Sequence, residues 1–273
     1  IVRAREKMEY EAALSIITNI TTVTLSLLLL TINKTPQSLL IGYAIGSGFG
    51  LVLALWALRG YLKKTLTHFE ITLVKPLATQ ALPLALTALL GGTMLTVDML
   101  MLGWFRTATE VGLYSAVQKL IQIAYSLAGI AGISLFSTFS RLYVQDHTRF
   151  KELFNQAFRV MTYGSAGVAI LGIIFASPIL TLIYGTAYSG GVTAFRLLAA
   201  TFFLLAPTEI GIHALLAAGR QKVFLYSAPI GALSNAALNA LFIPYWGITG
   251  AALSTLITQI AVNAYLWKKI REL

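Results

Sequence analysis

The sequence contains no cysteine, which excludes disulfide bonds, thiolate metal sites and cysteine nucleophiles. Charge is also scarce: 11% of the 273 residues are charged, whereas 57% are hydrophobic. Soluble domains carry about 25% charged residues, so a surface this poor in charge does not keep such a chain in water. The mean hydropathy of +0.78 agrees. We therefore expect lipid to surround most of the chain.

Sequence motifs of soluble enzymes are missing too. There is no HExxH, GxSxG or P-loop pattern, and the histidines lie in separate segments, at His68, His147 and His213. The net charge of +10 would suggest nucleic acid in a soluble protein. Here the basic residues lie between apolar runs, which is typical of membrane-protein loops. We expect a transporter rather than an enzyme, with no metal, no cofactor and no nucleic acid.

Eight apolar runs are long enough to cross about 30 Å of hydrocarbon. The sequence therefore predicts an all-α polytopic membrane protein with eight transmembrane helices. Their approximate bounds are 12–32, 38–58, 76–103, 112–139, 161–184, 195–217, 224–242 and 248–267.

Basic residues are unequally divided between alternate loops. One set of loops, which includes both terminal tails, holds 16 of them, whereas the other holds Lys34 and Arg106, with Arg196 at a helix mouth. If one span had been missed or wrongly added, the loops after it would have changed sets, and the basic residues would no longer be concentrated in one set. The positive-inside rule therefore predicts that the number of spans is even and that both termini of the chain are cytoplasmic.

The cytoplasmic loop 141–159 carries an apolar face at helical spacing, which begins with Phe150, Leu153 and Phe154. Two interpretations fit this face equally well. In the first, the segment forms a short helix lying at the membrane interface. In the second, it extends the fifth span into the cytoplasm.

Glycine recurs every fourth residue in the second span, at Gly42, Gly46 and Gly50. This spacing lets two helices approach closely. We expect these glycines to form a helix contact rather than a nucleotide loop, because no strand precedes them.

Charged side chains within spans cost about 2.5–3.5 kcal/mol at mid-membrane, so each one needs a reason. Asp98 and Lys119 lie at similar predicted depth on neighbouring helices, which predicts an ion pair with a structural or a transport role. Glu209 and His213 share a helix face four residues apart and are expected to face the bundle interior. Together with three polar residues and an interfacial arginine, these four are our substrate-path or ion-coupling candidates: Asp98, Lys119, Gln122, Arg196, Glu209, His213, Asn235 and Asn239.

Two of these candidates open the clearest motif. The stretch 235–255 reads N-x-x-x-N, then I-P-x-x-G-x-x-G-A-A-x-x-T. It resembles the last two helices of the Wzx-type polysaccharide flippases, in the multidrug/oligosaccharidyl-lipid/polysaccharide (MOP) exporter superfamily. The stretches 98–120, 184–199 and 215–224 are also similar to that family, in the same order and spacing, so the resemblance covers most of 72–273.

The resemblance implies a MOP-exporter-like helical bundle. Members of the family usually have at least twelve helices in two six-helix lobes, so residues 1–71 are expected to be the last two helices of the N-terminal lobe. Residues 72–273 are expected to be a complete six-helix C-terminal lobe. The chain is thus expected to be a C-terminal piece of a longer protein.

The family flips polyprenyl-diphosphate-linked oligosaccharides, such as O-antigen units for lipopolysaccharide, across the bacterial inner membrane. By resemblance, the expected partners are that glycolipid, membrane lipid and polysaccharide polymerase machinery. The expected mechanism is alternating access, and the amides of Asn235 and Asn239 would offer hydrogen bonds to the headgroup or join helices. Alternatives are a drug/cation antiporter or a peptidoglycan-precursor flippase of the same superfamily. A membrane glycosyltransferase fits worse, because the longest loop has no acidic cluster.

Overall fold

The computed structural model describes residues 8–67 and 96–273, with side chains described for 13–59 and 96–273. Every regular element in these ranges is helical. The elements are α1 (Met8–Ile32), α2 (Pro36–Thr67), α3 (described part Thr96–Phe105), α4 (Ala108–Gln145), α5 (His147–Ile174), α6 (Ala176–Tyr184), a 3₁₀ turn (Thr186–Gly191), α7 (Val192–Ala217) and α8 (Lys222–Ile270).

The eight predicted spans are confirmed. Six of the described helices are long and apolar enough to cross a membrane, and the short described part of α3 is apolar as well. The eighth span comes from α8, which holds two helices because its backbone breaks at Gly247. We call the segments 222–246 and 248–270 α8a and α8b. The third predicted span, 76–103, lies only in part within the described residues.

The chain divides into two compact units, residues 1–78 and 79–273. The expected lobe boundary between residues 71 and 72 lies outside the described residues. The assignment of 1–71 and 72–273 to two lobes of a transporter therefore stays a prediction.

In the first unit, α1 and α2 pack through the predicted glycine face. A Cβ atom added to Gly42 or Gly46 would lie 2.5 Å from Ser26 Cα or 2.4 Å from Thr22 Cα, and one at Gly50 would lie 2.3 Å from Thr18 Cγ2. Small residues thus repeat every four positions on both helices, which is the spacing of close helix pairs in membranes. The predicted close approach is confirmed.

We expect Gly46→Val to separate α1 from α2, because the new side chain overlaps the main chain at Thr22. Overpacking of this kind costs about 1–3 kcal/mol. The matched control is Gly48→Val on the same helix, where no atom lies within 4 Å of an added Cβ. Thermal unfolding in detergent should show a loss for Gly46→Val alone, and equal melting temperatures for the two variants would contradict the packing.

In the second unit, α7 is the central helix and packs against α4, α5 and α8. Its sequence is apolar around most of its circumference, so it has no face that requires water. The largest apolar cluster of this unit contains Leu102, Tyr114, Leu180 and Ile243, all 0% exposed. Helices α3, α4, α6 and α8 are therefore held in one core.

The N-terminal part of α5 answers the question left open for 141–159. The helix runs without interruption from His147, and Phe150 packs with Phe139 of α4 and Ile210 of α7. This segment therefore extends the fifth span, and the separate interfacial helix is wrong. At Phe150, the apolar face is covered by neighbouring helices.

The outer end of the same span also differs from the prediction. Helix α5 ends at Ile174, and α6 begins two residues later, after Phe175. Pro178 lies in the first turn of α6, where its missing N–H removes no helical hydrogen bond. The proline therefore favours a new helix start over one continuous span.

Candidate functional site

Asp98 of α3 is the centre of a buried polar cluster. Its carboxylate, in a residue 2% exposed, accepts three hydrogen bonds. Tyr114 Oη of α4 donates to Oδ2 at 2.7 Å, Asn239 Nδ2 of α8a donates to Oδ1 at 2.6 Å, and Thr255 Oγ1 of α8b donates to Oδ2 at 2.8 Å. Four helical segments thus converge on one carboxylate.

Asn235 completes the cluster one turn before Asn239. Its Oδ1 accepts from Asn239 Nδ2 at 3.0 Å, and both residues are 0% exposed. Two amide atoms, Asn235 Nδ2 and Asn239 Oδ1, are buried without a hydrogen-bond partner among the described residues. Both amides therefore lie in the interior of the cluster rather than at its surface.

The break in α8 brings Asn239 and Thr255 to the same carboxylate. Gly247 has φ 54° and ψ −130°, a combination that side-chain-bearing residues rarely adopt. The two segments fold back so closely that a Cβ on Gly250 would lie 2.4 Å from Phe242 O. The break between the predicted spans 224–242 and 248–267 thus lies at Gly247, whereas Pro244 lies within α8a.

Arg106, in the turn between α3 and α4, caps the end of α8a. Its Nε and Nη2 atoms donate to the carbonyls of Ile243 and Pro244, each at 3.0 Å. The break at Gly247 leaves these carbonyls without their helical N–H partners. Glu110, 3.7 Å from Arg106 Nε, holds the guanidinium in place. A basic residue of the α3–α4 turn thus supports the turn that builds the Asp98 cluster.

The predicted ion pair between Asp98 and Lys119 is wrong. Lys119 is exposed, and no described basic side chain lies within ion-pair distance of Asp98. Tyr114, which does reach Asp98, lies five residues before Lys119, and five residues rotate a helix by about 140° beyond a full turn. Similar depth was therefore not enough, because the two side chains leave α4 in different directions.

Glu209 and His213 are both half-buried on α7. The His213 ring hydrogen-bonds through Nδ1 to the main-chain carbonyl of Glu209 at 2.8 Å, rather than to its carboxylate. The ring lies against Gly132 of α4, where an added Cβ would be 2.5 Å from Nδ1, and beside Phe136. His213 therefore faces a neighbouring helix, and a part in ion coupling stays a prediction.

The two remaining candidates lie apart from the Asp98 cluster. Arg196 is exposed at the start of α7, and its Nε donates to Ile173 O at 3.2 Å near the end of α5. It therefore caps a second helix break, as Arg106 caps the first. Gln122 is half-buried on α4 and lies one turn beyond Lys119.

Tyr114 and Thr255 were not named as site residues from the sequence. Their sequence positions could nevertheless have identified them, because each lies as far after a helix-connecting turn as a named polar residue lies before it. Asp98 and Tyr114 each lie eight residues from Arg106, and Asn239 and Thr255 each lie eight residues from Gly247. In an antiparallel helix pair, residues at equal distances from the turn lie side by side, so polar residues placed in this way predict a contact.

Comparison with known families gives two matches, each over more than half of the chain. The family described as "Polysaccharide biosynthesis protein" matches residues 1–143, and the family "MatE" matches residues 83–241. An uncharacterized membrane protein of Methanocaldococcus jannaschii is 26% identical over an alignment of 244 residues, which covers 82% of this chain and 55% of that protein. The chain thus spans about half the length of this curated relative.

Solved structures share the fold. The lipid II flippase MurJ in an inward closed conformation has a TM-score of 0.80 at 19% identity, over 99% of this chain and 58% of MurJ. A mutant of the MATE transporter VcmN from Vibrio cholerae has a TM-score of 0.66 at 15% identity, over 99% of this chain and 64% of VcmN. The helical bundle is therefore that of the MOP exporters.

Proposed function

Since the chain belongs to the polysaccharide biosynthesis family of the MOP exporter superfamily, we propose that it forms part of a flippase for a polyprenyl-diphosphate-linked oligosaccharide. The sugar-diphosphate headgroup crosses the membrane through a polar path, while the polyprenyl tail stays in lipid. In this proposal, residues 1–71 and residues 72–273 belong to two different lobes, whose relative movement opens the path to one side of the membrane at a time.

One observation carries this proposal: a polar stripe on a membrane-spanning helix. Ser115, Lys119, Gln122 and Ser126 follow one another at intervals of three or four residues along α4, and Lys119 and Ser126 are exposed. Lys119 lies about 10 Å inside the predicted span 112–139 by helical rise, which is within the hydrocarbon core. An ammonium group in lipid at that depth costs about 2.5–3.5 kcal/mol, so this face belongs to a wet path.

The chemistry of the stripe suits a diphosphate. A lysine attracts phosphate oxygens, and the Gln122 amide donates hydrogen bonds to sugar or phosphate. The hydroxyls of Ser115 and Ser126 donate to main-chain carbonyls of α4 and can accept hydrogen bonds from sugar hydroxyls. A drug cation would instead be repelled by Lys119, so the antiporter alternative fits less well. A peptidoglycan-precursor flippase remains the second candidate, because MurJ, whose fold the chain shares, is a lipid II flippase.

We further propose that Asp98 binds the coupling cation. The cluster holds one carboxylate, and no described basic group neutralises it. A buried charge without a counter-charge is costly, and a proton or a monovalent cation supplies the missing charge. The oxygens of Asn235, Asn239 and Thr255 lie in the same cluster and are ligands that hard cations prefer. Asn235 and Asn239 then act on the ion rather than directly on the glycan.

The membrane and the partners follow from the proposed substrate. The excess of basic residues in alternate loops favours a cytoplasmic position for both termini, and the proposed location is the bacterial inner membrane. The polymerase machinery that uses flipped oligosaccharides is the proposed protein partner. Arg196, Glu209 and His213 remain candidates for secondary parts of the path.

We expect Lys119→Gln to reduce flipping of a diphosphate-linked oligosaccharide about tenfold, because one charge-assisted hydrogen bond of about 1.5 kcal/mol is lost. Lys119→Arg should keep most activity. Each variant is expressed in a strain from which the gene has been deleted, and cytoplasmic accumulation of the lipid-linked intermediate is measured. Lys222→Gln, an exposed lysine at a helix end, is the matched control. Normal glycan export in the deletion strain, or full activity of Lys119→Gln, would refute the proposal.

A further inference from the structure

A groove of about 550 Å³ lies between α5, α7 and the end of α8b. Its wall on α5 is an aromatic ladder of Phe150, Phe154 and Phe158, whose neighbouring rings lie 6.3 Å and 5.6 Å apart. Phe203 and Trp267 form parts of the other walls. The interior of the groove is thus largely apolar.

Two cations, Lys151 and Arg271, line one end of the same groove. Both are exposed, and neither side chain forms an ion pair or hydrogen bond with another described residue. Three other basic groups at this end of the unit are paired with carboxylates, and Lys222 and Lys268 lie outside the groove. Arg149 pairs with Asp146, and Arg220 and Lys269 pair with Glu272. The two cations at the groove are therefore available to an external anion.

The length of the groove matches one leaflet of a membrane. From Lys151 to Thr162, which lines the far end, α5 rises about 16 Å. Half of a hydrocarbon core of about 30 Å is about 15 Å. The cationic end lies where α5 begins and α8b ends, on the side of the chain where basic residues are concentrated. Such a side faces the cytoplasmic leaflet, which carries anionic lipids.

We propose that this groove binds an anionic phospholipid of the cytoplasmic leaflet, with the phosphate between Lys151 and Arg271 and one acyl chain along the phenylalanine ladder. A second groove, of about 590 Å³, is lined by apolar residues alone, among them Val168, Phe175 and Phe195. It has no group to hold a phosphate, so charge complementarity selects the first groove. Basic pockets between membrane helices on the cytoplasmic side are suited to such headgroups.

Native mass spectrometry of the purified protein with added phosphatidylglycerol tests the proposal. The protein should retain one phosphatidylglycerol more tightly than phosphatidylcholine. The double variant Lys151→Gln/Arg271→Gln should bind it about 30-fold more weakly, at about 1 kcal/mol for each cation. The matched control, Lys222→Gln/Lys268→Gln, removes two exposed lysines from the same end outside the groove and should bind like the wild type.

A further variant, Thr162→Trp, fills the far end of the groove without changing its charge. It should weaken phosphatidylglycerol binding and leave glycerol phosphate binding unchanged, which keeps the test valid if the double variant misfolds. Equal retention of phosphatidylcholine, equal loss in the control pair, or tight binding of glycerol phosphate alone would overturn the proposal. A protein segment of the full-length transporter that fills the groove would overturn it as well.

Discussion

Replacing Asp98 by asparagine is expected to lower coupled transport about 100-fold in a protein that still folds. Asparagine keeps the shape of the side chain but removes the charge that, in the function proposed above, holds the coupling cation. A loss of about 3 kcal/mol of charge-assisted interaction corresponds to this factor. Asp98→Ala should also unfold more easily, because Tyr114, Asn239 and Thr255 lose their buried acceptor, at about 1–3 kcal/mol for each unpaired group.

Flipping in reconstituted vesicles, together with thermal unfolding in detergent, separates these two effects. Asp146→Asn is the control, because it removes one carboxylate at the start of α5 and keeps an oxygen for the Arg149 N–H. That variant should transport normally. Wild-type transport by Asp98→Asn would exclude Asp98 as the cation site, and wild-type stability of Asp98→Ala would contradict the hydrogen-bond cluster.

Gly247→Ala is expected to lower the free energy of unfolding by about 1–3 kcal/mol, the range for a residue forced into a sparsely populated conformation. The new Cβ would also lie 3.1 Å from Glu110 Oε2 and 3.4 Å from Arg106 Nε. Transport should fall with stability, because the turn at Gly247 places Asn239 at Oδ1 and Thr255 at Oδ2 of Asp98.

Asparagine should not rescue position 247. It tolerates the left-handed helical region, but a ψ of −130° lies outside that region. The control is Gly164→Ala on α5, where no atom lies within 4 Å of an added Cβ and alanine favours the helix. Unfolding curves of the three variants provide the comparison. A stable Gly247→Ala, or rescue by asparagine, would show that the backbone turns differently.

The membrane-spanning helices could be predicted from the sequence because lipid imposes a simple rule. Each crossing requires about 20 apolar residues with all backbone groups bonded internally, so the runs are long and easily counted. The contact of Gly46 with Thr22 was also predictable, since small residues four apart allow close packing. The family resemblance added the fold, and the shared architecture of solved MOP transporters confirms it.

The arrangement of the polar residues was only half predictable. Asp98, Asn235 and Asn239 were recognised as costly in a membrane, which is a property of each residue alone. The partner of each polar residue depends on the direction in which its side chain leaves the helix, and on how the two helices joined by each turn are aligned. An estimate of depth in the membrane contains neither kind of information. For this reason Lys119 was paired with Asp98, whereas Tyr114 forms the contact.

Helix ends were the least predictable part of the fold. The apolar face at Phe150 suits lipid and protein equally well, so only packing against α4 and α7 decides between them. Arg106 and Arg196 were counted only as basic residues of the non-cytoplasmic loops, because the positive-inside rule uses a basic residue solely to assign a loop to one side of the membrane. Their bonds to carbonyls of other helices depend on breaks at Gly247 and Phe175, which hydropathy does not reveal.

The cap formed by Arg106 has a mechanical consequence. One guanidinium joins the α3–α4 turn to the last carbonyls of α8a, so two helix hairpins are latched together at the end that carries Gly247. If the two hairpins are to move apart at this end, two charge-assisted hydrogen bonds and the contact of Arg106 with Glu110 must break at once. A movement that separates the two hairpins at this end would therefore have to break these contacts, whereas a movement of both hairpins together would keep them and the Asp98 cluster intact.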